Sequence, residues 1–182
     1  MNAQLYLLDA IPAGARLLIV GGGTGWILEE IATLHPAGLS ITYIDSSEKM
    51  IALSERRNAG NNKVSFEAIP VESVILDGMY DVVLTPFLLD NLTEVSMRKV
   101  CQSITAHLNP GGIWLYCDFE DGGKVWHKVL LKIMYLFFRL SCGIEASELP
   151  DVRAWFSEGK YKIIGERKFY KGFAVARVYK KL

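Results

Sequence analysis

A glycine-rich segment, Gly21-Gly22-Gly23-Thr24-Gly25, separates a short apolar run from a segment with helical periodicity. Glycine has no Cβ, so a ligand can approach the backbone N–H groups of such a loop closely, and the helix that follows adds its positive N-terminus. An acidic residue, Asp45, ends the next apolar run, twenty residues after Gly25. A glycine loop directly after a predicted strand and before a predicted helix therefore predicts a site where a ligand contacts the backbone.

The spacing of the glycines distinguishes between classes of cofactor. The dinucleotide fingerprint G-x-G-x-x-G fits Gly21 and Gly23, but its third position is Trp26, where a glycine is needed for close helix packing. The phosphate-binding loop of nucleoside triphosphatases is also missing, because no Gly-Lys-Ser or Gly-Lys-Thr follows. Nicotinamide and flavin dinucleotides and nucleoside triphosphates are therefore disfavoured.

The elements that must position these residues are predicted from the apolar pattern. Continuous apolar runs alternate with helical periodicities, as in a parallel sheet that helices cover on both faces. The predicted strands are 17–20, 41–44, 64–68, 81–85 and 113–117, and the predicted helices are 27–34, 46–58, 93–107 and 124–140. Two more strands, 161–168 and 172–179, surround a turn at Lys171-Gly172. The pattern predicts a doubly wound α/β sheet that closes with an antiparallel pair.

Composition limits the classes of partner. The 182 residues are 51% hydrophobic and carry 20 basic and 20 acidic side chains, which favours one domain over 1–182 and argues against binding to nucleic acid. Residues 151–182 hold nine basic and three acidic residues. We interpret this excess as lysines on an exposed strand edge, although attraction of an anionic substrate is the alternative.

The three cysteines, Cys101, Cys117 and Cys142, are isolated from one another in the sequence. This spacing predicts neither a disulfide framework nor a zinc site, so we expect no metal and a reducing cytoplasmic location. No secretory signal is recognisable, and the most apolar stretch, 129–138, contains Lys132 and is too short to span a membrane. We expect a soluble protein.

Gly21, Gly23 and Gly25 form G-x-G-x-G, and with the preceding strand they resemble the first motif of class I S-adenosylmethionine-dependent methyltransferases of the small-molecule type. Residues 80–84 with 88–92, and residues 108–115, are similar to the family's fourth-strand motif and to its turn into the fifth strand. The resemblance covers most of the chain. It implies a Rossmann-like seven-stranded sheet, S-adenosylmethionine as cofactor, and methyl transfer to an O, N or C atom of a small molecule.

The resemblance also implies which residues bind the cofactor, with Asp45 accepting both ribose hydroxyls. The implied set is Gly21, Gly22, Gly23, Thr24, Gly25, Asp45, Ser46, Val71, Thr85, Pro86 and Phe87. Methyl transfer depends mainly on in-line placement and exclusion of water, so no particular catalytic residue is predicted. The polar candidates on the substrate side are Asp90, Asp118 and His127, for which a structural role, as a cap, a strand end or part of a helix surface, is the alternative.

The predicted helix 124–140 has a basic face, with Lys124, Lys128, Lys132 and Arg139, and apolar side chains around the rest. We expect its apolar side to pack on the sheet. The alternative is that surplus apolar surface lines a pocket for a hydrophobic substrate or touches a membrane surface. Phe87 and Trp126 could form an aromatic wall near the cofactor. Residues 146–158 are the candidate cap of the site, unless the second subunit of a homodimer covers it.

Two positions depart from the family pattern. Ile19 stands where the first motif usually begins with an acidic residue, and Ala68-Ile69-Pro70 lacks the acidic residue that would usually meet the adenine, which Glu72 could replace. These departures leave a noncatalytic S-adenosylmethionine-binding module as an alternative function. A nucleotide-dependent oxidoreductase is a third hypothesis, which Trp26 disfavours.

Overall fold

The computed structural model describes residues 3–120, 123, 126, 127, 130, 131, 133 and 149–182. Within this part of the chain, the strands form one seven-stranded sheet in the order β3-β2-β1-β4-β5-β7-β6. The strands are β1 (Arg16–Val20), β2 (Ala37–Asp45), β3 (Asn61–Ala68), β4 (Tyr80–Pro86), β5 (Leu108–Phe119), β6 (Tyr161–Phe169) and β7 (Ala174–Lys181). The first five are parallel, and β7 is antiparallel to both of its neighbours. The predicted fold class is confirmed.

Helices connect the strands, and three of them begin at polar side-chain caps. They are α1 (Leu5–Leu8), α2 (Trp26–Leu34), α3 (Glu48–Ser54), α4 (Glu94–His107) and α5 (Val152–Glu158). The side chains of Ser47, Thr93 and Asp151 accept N–H groups in the first turns of α3, α4 and α5. Such caps satisfy N–H groups that have no partner within the helix.

The core lies on both faces of the sheet, which explains why the central strands read as unbroken apolar runs. On one face, Leu17 and Ile19 pack with residues of α1 and α2. On the other face, Leu18 and Val20 pack with residues of α4 and α5. Consecutive residues of β1 thus alternate between two cores.

The C-terminal hairpin places β6 at the edge of the sheet, where Lys162, Arg167 and Lys168 are exposed. This position agrees with the interpretation of the basic segment as a protected strand edge. The predicted turn is found at Tyr170–Gly172, where Lys171 has φ 57°. The basic residue Arg177 is instead buried in β7, between Glu120 at 2.6 Å and Glu166.

Several predicted boundaries were wrong. β2 begins at Ala37 and β5 at Leu108, four and five residues earlier than predicted, while α3 ends at Ser54 rather than near residue 58. The glycines expected to form a turn at 109–112 lie inside β5, because a register shift opposite Tyr80 and Val82 accommodates them. Strand pairing therefore extended both elements beyond their apolar centres.

The predicted helix 124–140, including its basic face, lies mostly outside the described residues, as do Cys142 and residues 146–148. Its described members are helical, namely Trp126, His127, Leu130, Leu131 and Ile133. No helix within the described residues is long and apolar enough to cross a membrane.

Candidate functional site

The candidate site lies at the carboxyl ends of the parallel strands, where the strand order reverses between β1 and β4. Ligands of open α/β sheets bind in the crevice at this switch point. The glycine loop follows β1, Asp45 ends β2, Phe87 follows β4, and Asp118 belongs to the end of β5. The topology therefore brings most of the predicted site residues to one edge.

Two glycines of the loop have different roles. Gly23 has φ +63°, and a Cβ built on it would meet nothing within 4 Å, so its backbone faces open space. Gly25 has φ +75°, and its Cβ would lie 2.5 Å from the Cβ of Ser54. The close packing that Trp26 seemed to rule out is therefore made one residue earlier, by Gly25 against α3.

Asp45 is bound to the loop by its carboxylate. Oδ2 accepts the Gly23 N–H at 2.9 Å, and Oδ1 accepts the Ser47 N–H at 3.0 Å. Each carboxylate oxygen has a second lone pair, so the half-buried group can accept two more hydrogen bonds. The geometry fits a ligand with two neighbouring hydroxyl groups, such as a ribose.

Tyr43 and Arg57, which the sequence did not indicate as site residues, also bind the glycine loop. The Tyr43 hydroxyl donates to the Gly23 carbonyl at 3.1 Å, and Arg57 Nε donates to the Thr24 carbonyl at 3.0 Å. Tyr43 is buried, and burial raises its pKa above the usual range, so the hydroxyl keeps the proton that it donates. Tyr43 lies two residues before Asp45 on the same strand, but nothing in the sequence showed that its ring reaches the loop.

The other predicted cofactor residues are more dispersed. Ser46 is exposed beside Asp45, and Val71 begins a single turn of 3-10 helix after β3. Thr85 is buried, and its hydroxyl accepts the indole N–H of Trp114 at 2.9 Å, so its side chain belongs to the core. Pro86 is also buried.

Phe87 adopts a backbone conformation that side chains rarely take, with φ 53°. Its N–H donates to the Cys117 carbonyl at 2.7 Å, which extends the pairing of β4 with β5 by one residue. Such strained backbone is often found at ligand sites, where the surrounding structure maintains it. The observation supports a functional position for Phe87.

The positions that depart from the family pattern are structurally accommodated. Ile19 is fully buried in the first core. The backbone N–H of Ile69 donates to the Asp45 carbonyl at 3.0 Å, so this segment follows the end of β2. Glu72 is exposed within the 3-10 turn.

Two of the substrate-side candidates form a buried carboxyl pair. Asp118 is inaccessible and Asp90 is 6% exposed. The Asp90 N–H donates to Asp118 Oδ2 at 3.1 Å, and the Asn91 amide donates to Asp90 Oδ1 at 2.7 Å. Burial raises the pKa of Asp90 to about 6, and burial together with the neighbouring Asp90 charge raises the pKa of Asp118 well above its usual value. The hydrogen bond between the two side chains lowers the pKa of Asp90 and raises that of Asp118, so Asp118 is the carboxyl of the pair that holds a proton more readily.

The third candidate, His127, is buried rather than on the helix surface that its structural interpretation assumed. Its ring lies 5.3 Å from that of Phe173. Phe173 in turn lies 5.0 Å from Phe119 and 5.7 Å from Trp126, and Phe119 lies 4.9 Å from Phe87, all between ring centroids. The predicted aromatic wall of Phe87 and Trp126 is therefore continuous, because Phe119 and Phe173 connect them.

The described part of the candidate cap contains α5. A cavity of about 360 Å³ separates the start of this helix from the end of β5 and is lined by Tyr116, Phe119, Glu120, Leu149, Pro150, Asp151, Val152 and Arg153. Arg153 approaches Glu120 to 3.8 Å, and Glu120 also pairs with the buried Arg177. Ion pairs thus tie α5 and β7 to the end of β5.

The sequence of the chain matches a known protein family and several known proteins. Residues 17–112 match the family described as "Methyltransferase domain". The chain is 35% identical over 119 residues to a malonyl-[acyl-carrier protein] O-methyltransferase of Bacillus cytotoxicus, covering 65% of this chain and 40% of that protein. It is 30% identical over 156 residues to the ubiquinone/menaquinone biosynthesis C-methyltransferase UbiE of Geobacter sulfurreducens, covering 83% of this chain and 56% of that protein. The chain thus spans about half the length of these relatives.

Among solved structures, the N-methyltransferase NodS from Bradyrhizobium japonicum, in complex with S-adenosyl-L-homocysteine, superposes with a TM-score of 0.74 at 15% identity. The match covers 98% of this chain and 83% of NodS. Magnesium protoporphyrin IX methyltransferase from Synechocystis gives a TM-score of 0.70 at 17% identity, covering 99% of this chain and 80% of that one. At these identities the likeness is one of fold.

Proposed function

The chain belongs to the class I S-adenosylmethionine-dependent methyltransferase family, and we propose that it transfers a methyl group from S-adenosylmethionine to a small, hydrophobic acceptor. The observation that carries this proposal is that the glycine loop and Asp45 lie together at one site. There, the Gly23 N–H binds a carboxylate that still has two lone pairs available. The glycine loop, whose backbone a ligand can approach, and a carboxylate that can accept hydrogen bonds from a diol thus lie together at the switch point of the sheet.

The residues at this edge fit the proposed cofactor. Gly21, Gly22, Gly23, Thr24 and Gly25 would bind it through their backbone, with Asp45 on the ribose hydroxyls. Ser46, Val71, Pro86 and Phe87 would border it, and Thr85 would take part through its backbone, because its hydroxyl is bonded to Trp114. When bound, S-adenosylmethionine supplies an electrophilic methyl group on a sulfonium.

The protein's contribution to the chemistry is placement, exclusion of water and control of a proton. The aromatic row formed by Phe87, Phe119, Phe173 and Trp126 provides an apolar wall beside the crevice. In the carboxyl pair, the hydrogen bond between the side chains raises the pKa of Asp118 and lowers that of Asp90, so Asp90 is the carboxyl that would take a proton from the methyl acceptor. We assign Asp90 and Asp118 to the acceptor side on this basis, with His127 behind the aromatic row.

The hydrophobic character of the acceptor is supported by surplus apolar surface on the described part of helix 124–140. His127 and Leu131 lie one helical turn apart and are buried, as expected for a helix that packs on the sheet. However, Trp126, Leu130 and Ile133 are 42%, 36% and 58% exposed. These three side chains would border the entrance for an apolar acceptor. A lipid surface and a second subunit are the other candidates to cover them, and sedimentation with and without liposomes distinguishes the three.

A cytoplasmic location is part of the same proposal. Cys101 and Cys117 are buried free thiols among the described residues. Thiols of this kind suit a reducing compartment.

A noncatalytic cofactor-binding module is the second candidate, favoured by the departures at Ile19 and at 68–70. Both candidates predict binding of S-adenosylmethionine, and only the first predicts turnover. Isothermal titration with S-adenosylmethionine, S-adenosylhomocysteine and a nicotinamide dinucleotide should show binding of the first two ligands alone. Transfer of labelled methyl groups into apolar phenols, quinols or carboxylic acids then distinguishes the enzyme from the module. Binding of the dinucleotide alone would refute both.

A further inference from the structure

The glycine loop is attached to the rest of the protein from one side. The Gly21 N–H donates to the Ile44 carbonyl at 2.8 Å, next to Tyr43 on β2. The Tyr43 hydroxyl and Arg57 Nε donate to two consecutive carbonyls of the loop, those of Gly23 and Thr24, at 3.1 and 3.0 Å. All three contacts come from β2 or from the residues just after α3. The loop therefore depends on this unit for its shape.

Each of the two side-chain contacts orients a peptide group. In a trans peptide the C=O and the N–H point in opposite directions, and rotation about the C–N bond is blocked. When Tyr43 holds the Gly23 carbonyl, the Thr24 N–H must point away from Tyr43. In the same way, Arg57 on the Thr24 carbonyl turns the Gly25 N–H away from Arg57, and this N–H interacts with the Tyr43 hydroxyl oxygen. The Thr24 N–H alone is thereby directed to the side of the loop that Tyr43 does not occupy.

Gly22 and Tyr43 are also matched in volume. A Cβ built on Gly22 would lie 2.2 Å from Tyr43 Cζ and 2.3 Å from its hydroxyl oxygen, far inside van der Waals contact. The Tyr43 ring is fully buried and packs 5.4 Å from the ring of Phe66, so it has little room to withdraw. The second glycine of the loop is therefore required by the tyrosine beneath it.

We propose that Tyr43 and Arg57 are positioning residues of the cofactor site, which fix the conformation of the loop and so preset the Thr24 N–H toward the ligand without touching it. The inference rests on the proposed function, because it assigns this N–H group to S-adenosylmethionine. It adds to the loop and Asp45 a second layer that sets cofactor affinity.

The main test replaces each hydroxyl or guanidinium and measures two quantities. Tyr43→Phe should weaken S-adenosylhomocysteine binding by about twofold to tenfold in isothermal titration, the range for one neutral hydrogen bond, and Arg57→Met, which removes a charged donor, should weaken it at least as much. In the ligand-free protein, the amides of Gly23, Thr24 and Gly25 should exchange with solvent faster than in wild type, as seen by NMR.

The chain offers a matched control for each variant. Tyr80 is 3% exposed and donates its hydroxyl to Thr42 Oγ1 at 3.2 Å, away from the loop, so Tyr80→Phe loses a comparable buried hydrogen bond. Arg57 also pairs with Glu29 at 3.4 Å, and Glu29→Gln removes that ion pair while leaving the carbonyl contact. Both controls should retain wild-type affinity and wild-type amide exchange in the loop.

Variants that change the volumes of Gly22 and Tyr43 test the steric match between these two residues. Gly22→Ala should lower the melting temperature and abolish S-adenosylhomocysteine binding, because the added methyl meets the Tyr43 ring. Adding Tyr43→Val to that variant should recover much of the melting temperature, and the affinity should return only to the reduced level of Tyr43→Phe, since the hydroxyl is still missing. Equal cost of Gly22→Ala in both backgrounds would contradict the pairing.

The outcomes separate this inference from the proposed function. If the wild-type protein does not bind S-adenosylhomocysteine, the proposed function fails and the inference fails with it. If the wild type binds but Tyr43→Phe and Arg57→Met match their controls, the inference alone is wrong. A loss of affinity without faster loop exchange would also overturn it, because the effect would then not pass through the loop.

Discussion

Along the carboxyl edge of the sheet, the half formed by β1 and β2 differs from the half formed by β4, β5 and β7 in the groups that face the crevice. The first half presents backbone N–H groups and one half-buried carboxylate, Asp45. The second half presents a buried carboxyl pair and a row of aromatic rings. The first suits a polar ligand of fixed shape, and the second suits an apolar one that loses a proton.

The halves also differ in how they are assembled. The residues of the first half, which we propose to bind the cofactor, come from one continuous stretch, 21–57, and are joined by backbone–backbone and side chain–backbone hydrogen bonds. The other residues proposed to border the cofactor, Val71, Thr85, Pro86 and Phe87, lie outside that stretch. Those of the acceptor half come from segments around Phe87, Asp118, His127 and Phe173. Substitutions in the first half should therefore change ligand affinity or local packing, whereas substitutions in the second should change stability and its pH dependence.

The largest effect is expected for Gly25→Ala. Its Cβ would lie 2.5 Å from Ser54 Cβ and 2.6 Å from Ser54 Cα, at φ +75°. Steric overlap with α3 and the left-handed backbone together should lower the free energy of unfolding by about 3 to 5 kcal/mol, measured by urea titration. Gly14→Ala is the matched control, with φ +74° and nothing within 4 Å, and should cost only about 1 to 2 kcal/mol. Equal losses would show that Gly25 is not a packing contact.

The carboxyl pair should make stability depend on pH. Asp90 has a folded-state pKa of about 6, above the usual value of 3.8, so the folded protein binds more protons than the unfolded chain between these values. The contribution of Asp90 to the free energy of unfolding is therefore largest below about pH 4. It falls by up to about 3 kcal/mol as the pH rises through 6. Burial raises the pKa of Asp118 as well, so this group changes stability with pH in the same direction.

Removing one charge of the pair should reduce this dependence. In Asp90→Asn, urea titrations between pH 4 and 8 should show a clearly smaller fall in the free energy of unfolding than in wild type. Asp77→Asn, at an exposed position, should leave the wild-type profile unchanged. A wild-type profile that rises from pH 4 to 7 would contradict the protonation assigned to the pair. Binding of S-adenosylhomocysteine should be the same in both variants.

In the cofactor half, Asp45→Asn should raise the dissociation constant of S-adenosylhomocysteine by about tenfold to a hundredfold, the range for hydrogen bonds to a charged group. The variant keeps the volume of the side chain and one oxygen acceptor, so it should fold. Isothermal titration against the same Asp77→Asn control gives the comparison. Unchanged affinity would remove Asp45 from the ribose site.

The smallest effect is expected for Phe119→Leu in the acceptor half. Phe119 contacts Phe87 and Phe173 at centroid distances of 4.9 and 5.0 Å, and losing these ring contacts should cost about 1 to 2 kcal/mol of stability. S-adenosylhomocysteine affinity should stay within about twofold of wild type. A larger loss of affinity would show that the aromatic row belongs to the cofactor half, and the division between the halves would fail.

The positions of the glycine loop and Asp45, and the succession of the first five strands along the chain, could be predicted from the sequence because each depends on neighbours within a short stretch. A continuous apolar run that ends in glycines, such as 17–20, is typical of a strand covered on both faces and followed by a tight turn. The limits of β2 and β5 could not be predicted in this way, since pairing with neighbouring strands, and not local apolarity, decides where a strand begins.

What the tertiary structure alone decided is which distant side chains meet. Asp90 and Asp118 became a buried, hydrogen-bonded carboxyl pair because the segment after β4 lies beside the end of β5. Tyr43 came to lie beneath Gly22 through the parallel pairing of β1 with β2. In the sequence, Arg177 is only one of nine basic residues near the C-terminus. In the structure, β7 places it between the carboxylates of Glu120 and Glu166. Each contact depends on burial and on strand register, which are properties of the packed sheet rather than of any segment of the chain.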